Sequence, residues 1–162
     1  MTPVQPTVRL RPMRAEEFPA FLVASRDGYA EGIEQHGGQT HEAAQRKADE
    51  DMAAVLPQGL ETPGHVIFLV EADGVVVGRL WLAERPSGGR TVLFVYDISI
   101  EPEHQGHGYG RAAMRLAEGV AGDRGLARIE LNVFGGNQVA RGLYRSLGYV
   151  ETSVQMAKDL AP

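Results

Sequence analysis

Val92-Leu93-Phe94-Val95-Tyr96-Asp97-Ile98-Ser99-Ile100 leads, through Glu101-Pro102-Glu103-His104, into Gln105-Gly106-His107-Gly108-Tyr109-Gly110-Arg111, and an amphipathic helix follows. A strand that ends in a glycine-rich turn and opens a helix leaves several backbone N–H groups unpaired and directed outward. Added to the positive end of the helix dipole, they make an anion site suited to a phosphate or pyrophosphate. Gly106, Gly108 and Gly110 let the backbone approach a ligand with no Cβ in the way and permit φ > 0 where the turn needs it. Gln105 and Arg111 add side-chain donors. The turn therefore points to a phosphorylated cofactor.

The same residues fit a second pattern. Gly108-Tyr109-Gly110-Arg111-Ala112-Ala113 satisfies G-x-G-x-x-A, with Glu130 about 20 residues further on in the place of a ribose-binding acid. Context decides against a Rossmann domain. Only 52 residues follow Gly110 (162 − 110), too few for further parallel βα units. Upstream, Glu71-Ala72-Asp73-Gly74-Val75-Val76 sets Asp-Gly between two β-rich runs, the signal of an antiparallel hairpin with a type I′ turn. No Gly-Lys-Ser/Thr follows the turn, so it is not a Walker A loop.

The chain has 162 residues, the size of a single domain over 1–162, with 43% hydrophobic and 23% charged residues, as in an ordinary globular protein. A formal net charge of −5 argues against a general nucleic-acid binder and leans toward a cationic substrate. The chain contains no cysteine, which excludes a disulfide scaffold, a thiolate metal site and a cysteine nucleophile and fits a reducing cytoplasm. Met1-Thr2-Pro3-Val4-Gln5-Pro6 lacks the regions of a signal peptide, and no apolar run approaches a membrane span.

Periodicity predicts a first strand over Val4–Met13, then a helix from Glu16 with Phe18, Phe21, Leu22, Ser25, Tyr29 and Ile33 on one face. Gly37-Gly38 stops it. Thr40 caps a second helix carrying Ala44, Ala48, Met52 and Val55. Strands follow at His65–Glu71, Val75–Glu84 and Arg90–Ile100. A helix with Ala113, Leu116, Ala117 and Val120 comes next and ends near Gly122–Gly125, before a strand over Ala127–Phe134. Val139, Ala140, Leu143, Tyr144 and Leu147 mark a short helix stopped by Gly148, and Tyr149–Lys158 reads as a last strand. Gly142 inside the short helix fits either a close approach or a tolerated surface glycine. The order β-α-α-β-β-β-α-β-α-β implies an α/β (α+β) fold, a mixed and mostly antiparallel sheet flanked by helices.

Three features together resemble the GCN5-related N-acetyltransferase (GNAT) superfamily over about residues 65–157. The first is Gln105-x-x-Gly108-x-Gly110, similar to the family's Arg/Gln-x-x-Gly-x-Gly/Ala acyl-CoA motif. The second is the preceding Ile98-Ser99-Ile100-Glu101-Pro102-Glu103-His104. The third is Leu131-Asn132-Val133-Phe134-Gly135-Gly136-Asn137-Gln138-Val139-Ala140-Arg141-Gly142-Leu143-Tyr144-Arg145-Ser146-Leu147-Gly148-Tyr149, with its Asn-x-x-Ala-x-x-x-Tyr core and Leu-Gly-Tyr ending. The long helical N-terminal part resembles a bacterial subgroup of mostly unknown substrate.

The resemblance implies transfer of an acetyl group from acetyl-CoA to a primary amine by direct attack in a ternary complex. Backbone N–H groups from Gly106 through Arg111 (Gly106, His107, Gly108, Tyr109, Gly110, Arg111), with Gln105, would hold the pyrophosphate. The strand ending in Ile98, Ser99 and Ile100 and the one beginning near Ala127 would splay apart, and the pantetheine would lie in that gap, pairing with the backbone of Ile98 and Ile100 as an added strand would. Asn132, Asn137 and Ala140 would line that gap, and Tyr144 would protonate the leaving thiolate. Asp97, a polar residue in an apolar run, is the candidate base, with a structural hydrogen bond as its plainer reading; Glu84 and Glu130 are weaker candidates. Tyr29, Glu31 and Trp81 are candidates for an acceptor pocket, although Tyr29 and Trp81 also fit as core residues. His104 and His107, three apart without a third ligand, do not suggest a metal site. The acceptor is a small-molecule or peptide amine, with neither nucleic acid nor membrane as partner, and relatives' habits allow a homodimer. A different acyl-CoA donor, or a non-catalytic CoA-binding regulatory module, remains open at this level.

Overall fold

Strand β4 (Arg90–Ile100) is the spine of the molecule, and the other elements are placed by it. The computed structural model describes residues 3–162. It contains β1 (Val8–Pro12), α1 (Phe18–Gly37), α2 (His41–Val55), β2 (His65–Ala72), β3 (Val75–Ser87), β4, α3 (Tyr109–Asp123), β5 (Ile129–Leu131) and α4 (Gln138–Ser146), with three short 3₁₀ turns between them. The sheet order is β1-β2-β3-β4-β5. The first four strands are antiparallel neighbours, and β5 runs parallel to β4.

Local chemistry explains most boundaries. Asp73 and Gly74 both take positive φ (50° and 82°), the pair of conformations a type I′ hairpin needs. Thr40 caps α2 through Oγ1, which accepts from the Ala43 N–H at 3.3 Å. Gly38, with φ 67°, ends α1 in the left-handed region, and Gly148, with φ 91°, follows α4 as expected.

Alternation along the strands divides the core in two. Val70, Leu80, Leu82, Leu93 and Val95 face Ala113, Met114, Ala117 and Ala121 of α3. Ile67 and Trp81 face the other way, against Phe21 of α1 and Met52 of α2. Burial of each large side chain in these layers contributes roughly 1.5–3 kcal/mol. Helices α3 and α4 lie on one face and α1 and α2 on the other. Among the described residues no helix is long and apolar enough to cross a membrane.

The expected α/β fold is present, but its last element is not. The predicted strand over Ala127–Phe134 shrinks to Ile129–Leu131, because β4 offers it only Leu93, Phe94 and Val95 as partners. The predicted strand over Tyr149–Lys158 does not form: no strand element follows α4. Its alternating pattern is real, yet a strand exists only by pairing, and residues 150–162 lie exposed along no sheet edge.

Candidate functional site

A bulge in β4 opens the site. Trp81 pairs with Asp97 and Leu82 with Val95, so Tyr96 is the extra residue. Val95 packs with the α3-side core and Ile98 against it, while Tyr96 packs on the α1 side. The bulge thus puts Tyr96 and Asp97 on the same face and bends β4 away from its neighbour. Pairing with β5 stops at Val95–Leu131, and beyond that point the two parallel strands part.

The backbone along this gap is set by alternation. The Glu101 N–H donates to the Val77 carbonyl at 2.8 Å, so Glu101, Ser99 and Asp97 turn their peptide groups toward β3. Ile100 and Ile98 therefore turn theirs into the gap. Ser99, grouped with them from sequence, has its backbone on the β3 side. The Ile100 carbonyl accepts from Gln105 Nε2 at 2.9 Å; Gln105 thus spends one amide hydrogen on joining the glycine turn to the end of β4.

The turn has the conformation its glycines promised. Gly106 and Gly108 hold φ of 83° and 81°, and Gly108 is the N-cap of α3, with no side chain over the helix end. Among the described residues no partner is found for the N–H groups of Gly106, His107 and Gly108. Tyr109, Gly110 and Arg111 form the first helical turn, whose N–H groups also lack intrahelical partners. Ideal Cβ atoms at Gly106 and Gly108 would meet nothing within 4 Å, so the space above the turn is open. Arg111 points sideways, one guanidinium nitrogen donating to Ser146 Oγ at 2.8 Å, which joins the start of α3 to the end of α4.

Tyr144 of α4 packs, partly buried, against the α3-side core, its ring 5.8 Å from that of Tyr149. Burial and the negative charge of Asp97 push its pKa up to about 12. Asp97 itself is held by Arg79, whose Nε donates to Oδ2 at 2.7 Å; both side chains are mostly buried. Its other oxygen, Oδ1, makes no side-chain hydrogen bond among the described residues. Asn137 caps α4, Oδ1 accepting from the Ala140 N–H at 3.2 Å, which leaves both amide N–H donors unused by the cap. Ala140 is half-buried behind it, and Asn132 is exposed just after β5. Gly142 has nothing within 4 Å of an ideal Cβ and is a surface glycine.

The acceptor-pocket candidates separate. Trp81 is a core residue, 3% exposed. Tyr29 donates to Asp51 of α2 at 2.8 Å, and Glu31 is at the surface with Gln35. What sequence reading missed lies beside Tyr96. His65 Nδ1 accepts from the Trp81 indole N–H at 2.9 Å, its ring 5.4 Å from that of Tyr96, and burial lowers its pKa. The indole N–H can only donate, so Nδ1 is the acceptor and the ring proton is on Nε2. No motif marks it, because the bulge that brings Tyr96 to it is invisible in sequence.

Helix α1 crosses over the gap. A Cβ at Gly32 would lie 2.8 Å from the Phe134 ring, and one at Gly136 would lie 2.5 Å from His36 Nδ1. The rings of His36 and Phe134 stack at 5.6 Å. The end of α1 and the loop between β5 and α4 thus interlock over the parted strands. Glu84 and Glu130, the weaker base candidates, lie elsewhere: Glu130 is held by Ser87 and Arg128, and Glu84 sits 3.9 Å from Arg124.

Comparison with known proteins bears on this arrangement. The model of the Acetyltransferase (GNAT) family matches residues 29–149. The uncharacterized N-acetyltransferase YycN of Bacillus subtilis is 36% identical over 157 residues, covering 95% of this chain and 99% of that one. Its crystal structure superposes with a TM-score of 0.90 at 34% identity, over 96% and 100% of the two chains. A mycothiol acetyltransferase of Nocardiopsis dassonvillei is 32% identical over 96% of this chain and 47% of its own. At the level of fold alone, the aminoglycoside N-acetyltransferase AAC(6')-Iy in complex with CoA matches with a TM-score of 0.62 at 16% identity, covering 99% of each chain.

Proposed function

The chain belongs to the acetyltransferase (GNAT) family, and from that premise we propose that residues 1–162 form one catalytic domain that moves an acetyl group from acetyl-CoA to a primary amine by direct attack in a ternary complex. The observation that carries the reading is the parting of β4 and β5 beyond Val95 and Leu131, beside a helix start with open N–H groups. A phosphate-bearing thioester fits there: the pyrophosphate lies over Gly106–Arg111, and the pantetheine amides pair with the peptide groups of Ile98 and Ile100.

This chain's groups then divide the chemistry. The peptide N–H at Ile98 points into the gap and supplies the donor that a tetrahedral oxyanion needs. Tyr144 keeps its proton, its pKa pushed up to about 12, whereas a cysteine thiol, the nearest reference for a thiol leaving group, ionises at about 8.5. The thiol is the stronger acid, so in place of the full proton transfer expected from sequence Tyr144 stabilises the departing thiolate by donating a hydrogen bond. Asp97 Oδ1 accepts from the attacking amine, with Arg79 fixing the carboxylate from behind. The amine enters from the α1 side, past Tyr96 and the Nε2–H of His65. The relatives named for mycothiol and aminoglycoside acetylation support a small-molecule acceptor, as does the net charge of −5.

Calorimetric titration with acetyl-CoA, free CoA, succinyl-CoA and NAD tests the donor. Binding of acetyl-CoA without response to NAD is the expected result, followed by thiol release when a panel of amines is added. Silence toward every CoA species overturns the reading. CoA binding without turnover on any amine makes the chain a binding module, and preference for succinyl-CoA reassigns the donor.

A further inference from the structure

We propose that the α1-side face of the sheet, at the end remote from the cleft, carries a second binding site, one that takes the phosphate group of a small phosphorylated metabolite. Strand register assembles it. Ser87 pairs with Arg90, Arg85 with Val92 and Ala83 with Phe94 across β3 and β4, and Phe94 pairs in turn with Glu130 of β5. Paired residues share a face and every second residue returns to it, so Arg85, Ser87, Arg90, Arg128 and Glu130 stand together. Ile129 and Leu131 turn the other way, into the α3-side core. The floor is apolar: Val92 is fully buried and Phe94 is 4% exposed, with the Arg85 guanidinium 3.7 Å above the Phe94 ring. A cavity of about 390 Å³ lies here, lined by Ser87, Gly88, Arg90, Arg128 and Glu130.

The charges at this site do not balance. Glu130 is the one carboxylate lining the cavity, and it is already engaged. Arg128 Nε and Ser87 Oγ each donate to its Oε1 at 2.8 Å; these bonds, and then the charge of Arg85, hold its pKa below the usual carboxylate value. Arg128 spends only Nε there, leaving both terminal nitrogens as donors. Arg85 and Arg90 form no salt bridge among the described residues. Three guanidinium groups against one carboxylate leave two positive charges over, in a chain whose net charge is −5. Gly88 takes φ 57° in the hairpin turn, and among the described residues its N–H has no partner. Guanidinium groups over an apolar floor suit the paired oxygens of a phosphate dianion. The cavity exceeds the roughly 300 Å³ at which small-molecule sites begin, so it takes the carbon part of the ligand as well.

Arg90 and Ile98 are separated by roughly 25 Å along β4, and the site shares no residue with the glycine turn, so it stands whether or not acetyl-CoA binds. Inorganic phosphate is the first probe, read through the arginine Nε–H signals of ¹⁵N-labelled protein, with chloride at equal ionic strength as control. Phosphate is expected to shift the Arg90 and Arg128 signals saturably, and chloride is not. Arg90→Gln together with Arg128→Gln should weaken phosphate by about tenfold or more. Glu130→Gln is the discriminating variant, because it removes the one opposing charge. It should tighten phosphate several-fold, a gain that misfolding cannot produce. Glycerol 3-phosphate should bind at least as tightly as phosphate itself. A phosphate response no larger than that of chloride overturns the proposal, as do shifts confined to the amides of Gly106–Arg111. Binding that the double variant leaves intact, or that Glu130→Gln weakens, overturns it too. Phosphate binding with glycerol 3-phosphate excluded overturns the assignment to a metabolite. None of these readouts depends on acetyl transfer.

Discussion

Tyr144 and Asp97, the two candidate catalytic groups, belong to opposite layers, Tyr144 packing against the α3-side core and Asp97 lying opposite Trp81 and bound to Arg79. Replacing Tyr144 by phenylalanine removes a donor and little volume. A hydrogen bond to a charged partner contributes about 1.5–3 kcal/mol, so kcat is expected to fall by about 10- to 100-fold with the affinity for acetyl-CoA unchanged by calorimetry. Because the Tyr144 pKa is pushed up to about 12, its proton stays on below that range. The pH–rate profile should rise as the acceptor ammonium loses its proton and then run level, with no fall from Tyr144 in the neutral to mildly alkaline range. Asp97→Asn keeps an oxygen for Arg79 but removes the acceptor charge; loss of a positioned base is expected to lower kcat by about 100-fold or more. Unchanged turnover with a lower Tm would instead leave Asp97 as a partner of Arg79 and nothing more. Tyr144 could be named as a candidate from sequence because its helix spacing sits inside a signature. Arg79 and His65 were not, because only pairing across β2, β3 and β4 brings them to the site.

Among the elements, the glycine turn and the end of β4 act as one unit, and backbone geometry rather than side-chain chemistry is the sensitive quantity. Gly108→Ala meets no atom but forces a non-glycine residue to φ near 81°, at a cost of roughly 1–2 kcal/mol. It should weaken acetyl-CoA binding several-fold while leaving kcat at saturation nearly unchanged. Gly78→Ala acts on the same element from behind, since a Cβ there would collide with the Ser99 carbonyl and crowd Ile100; overpacking of this kind costs about 1–3 kcal/mol. At the sheet's β1 edge, Arg11 joins Glu17 and the buried Glu71. The Glu17 carboxyl is held down from its ordinary 4.5 to about 2, first by hydrogen bonds from the Arg11 side chain and the Arg14 backbone. A depressed carboxylate pKa favours the folded state above the unfolded value, and that contribution is lost as pH falls from about 4.5 toward 2. Glu17→Gln should therefore lower Tm at neutral pH, with the difference from wild type vanishing near pH 2. The hairpin around Asp73-Gly74 could be read from sequence because its turn carries its own φ > 0 requirement. The strand at Tyr149–Lys158 could not be tested in this way, since its pattern says what it would bury but not which edge receives it.

At the scale of the whole molecule, two layers built on opposite faces of the sheet meet over the cleft at the contact of Gly32 and His36 in α1 with Phe134 and Gly136 in the β5–α4 loop. The sheet between them has already parted there, so this contact, rather than strand pairing, spans the opening. Sequence reading placed the cofactor side of the cleft on its glycine turn and short helix. It could not place the α1 side, because a glycine in a helix shows what approaches it only once the neighbouring loop is in position. Gly32→Ala discriminates between a bridge that matters and mere proximity. The added methyl would sit 2.8 Å from the Phe134 ring, and either the ring or the helix must move. Helix propensity alone would make alanine at this position more stable by about 1 kcal/mol. A fall in Tm therefore measures the interlock against that gain. If the bridge shapes the mouth of the cleft, the variant should raise KM for the amine while calorimetric affinity for acetyl-CoA, set on the far side by α3, changes little. Loss of acetyl-CoA affinity with the amine KM intact would put the bridge on the cofactor side, and a rise in Tm with unaltered kinetics would remove it from function altogether.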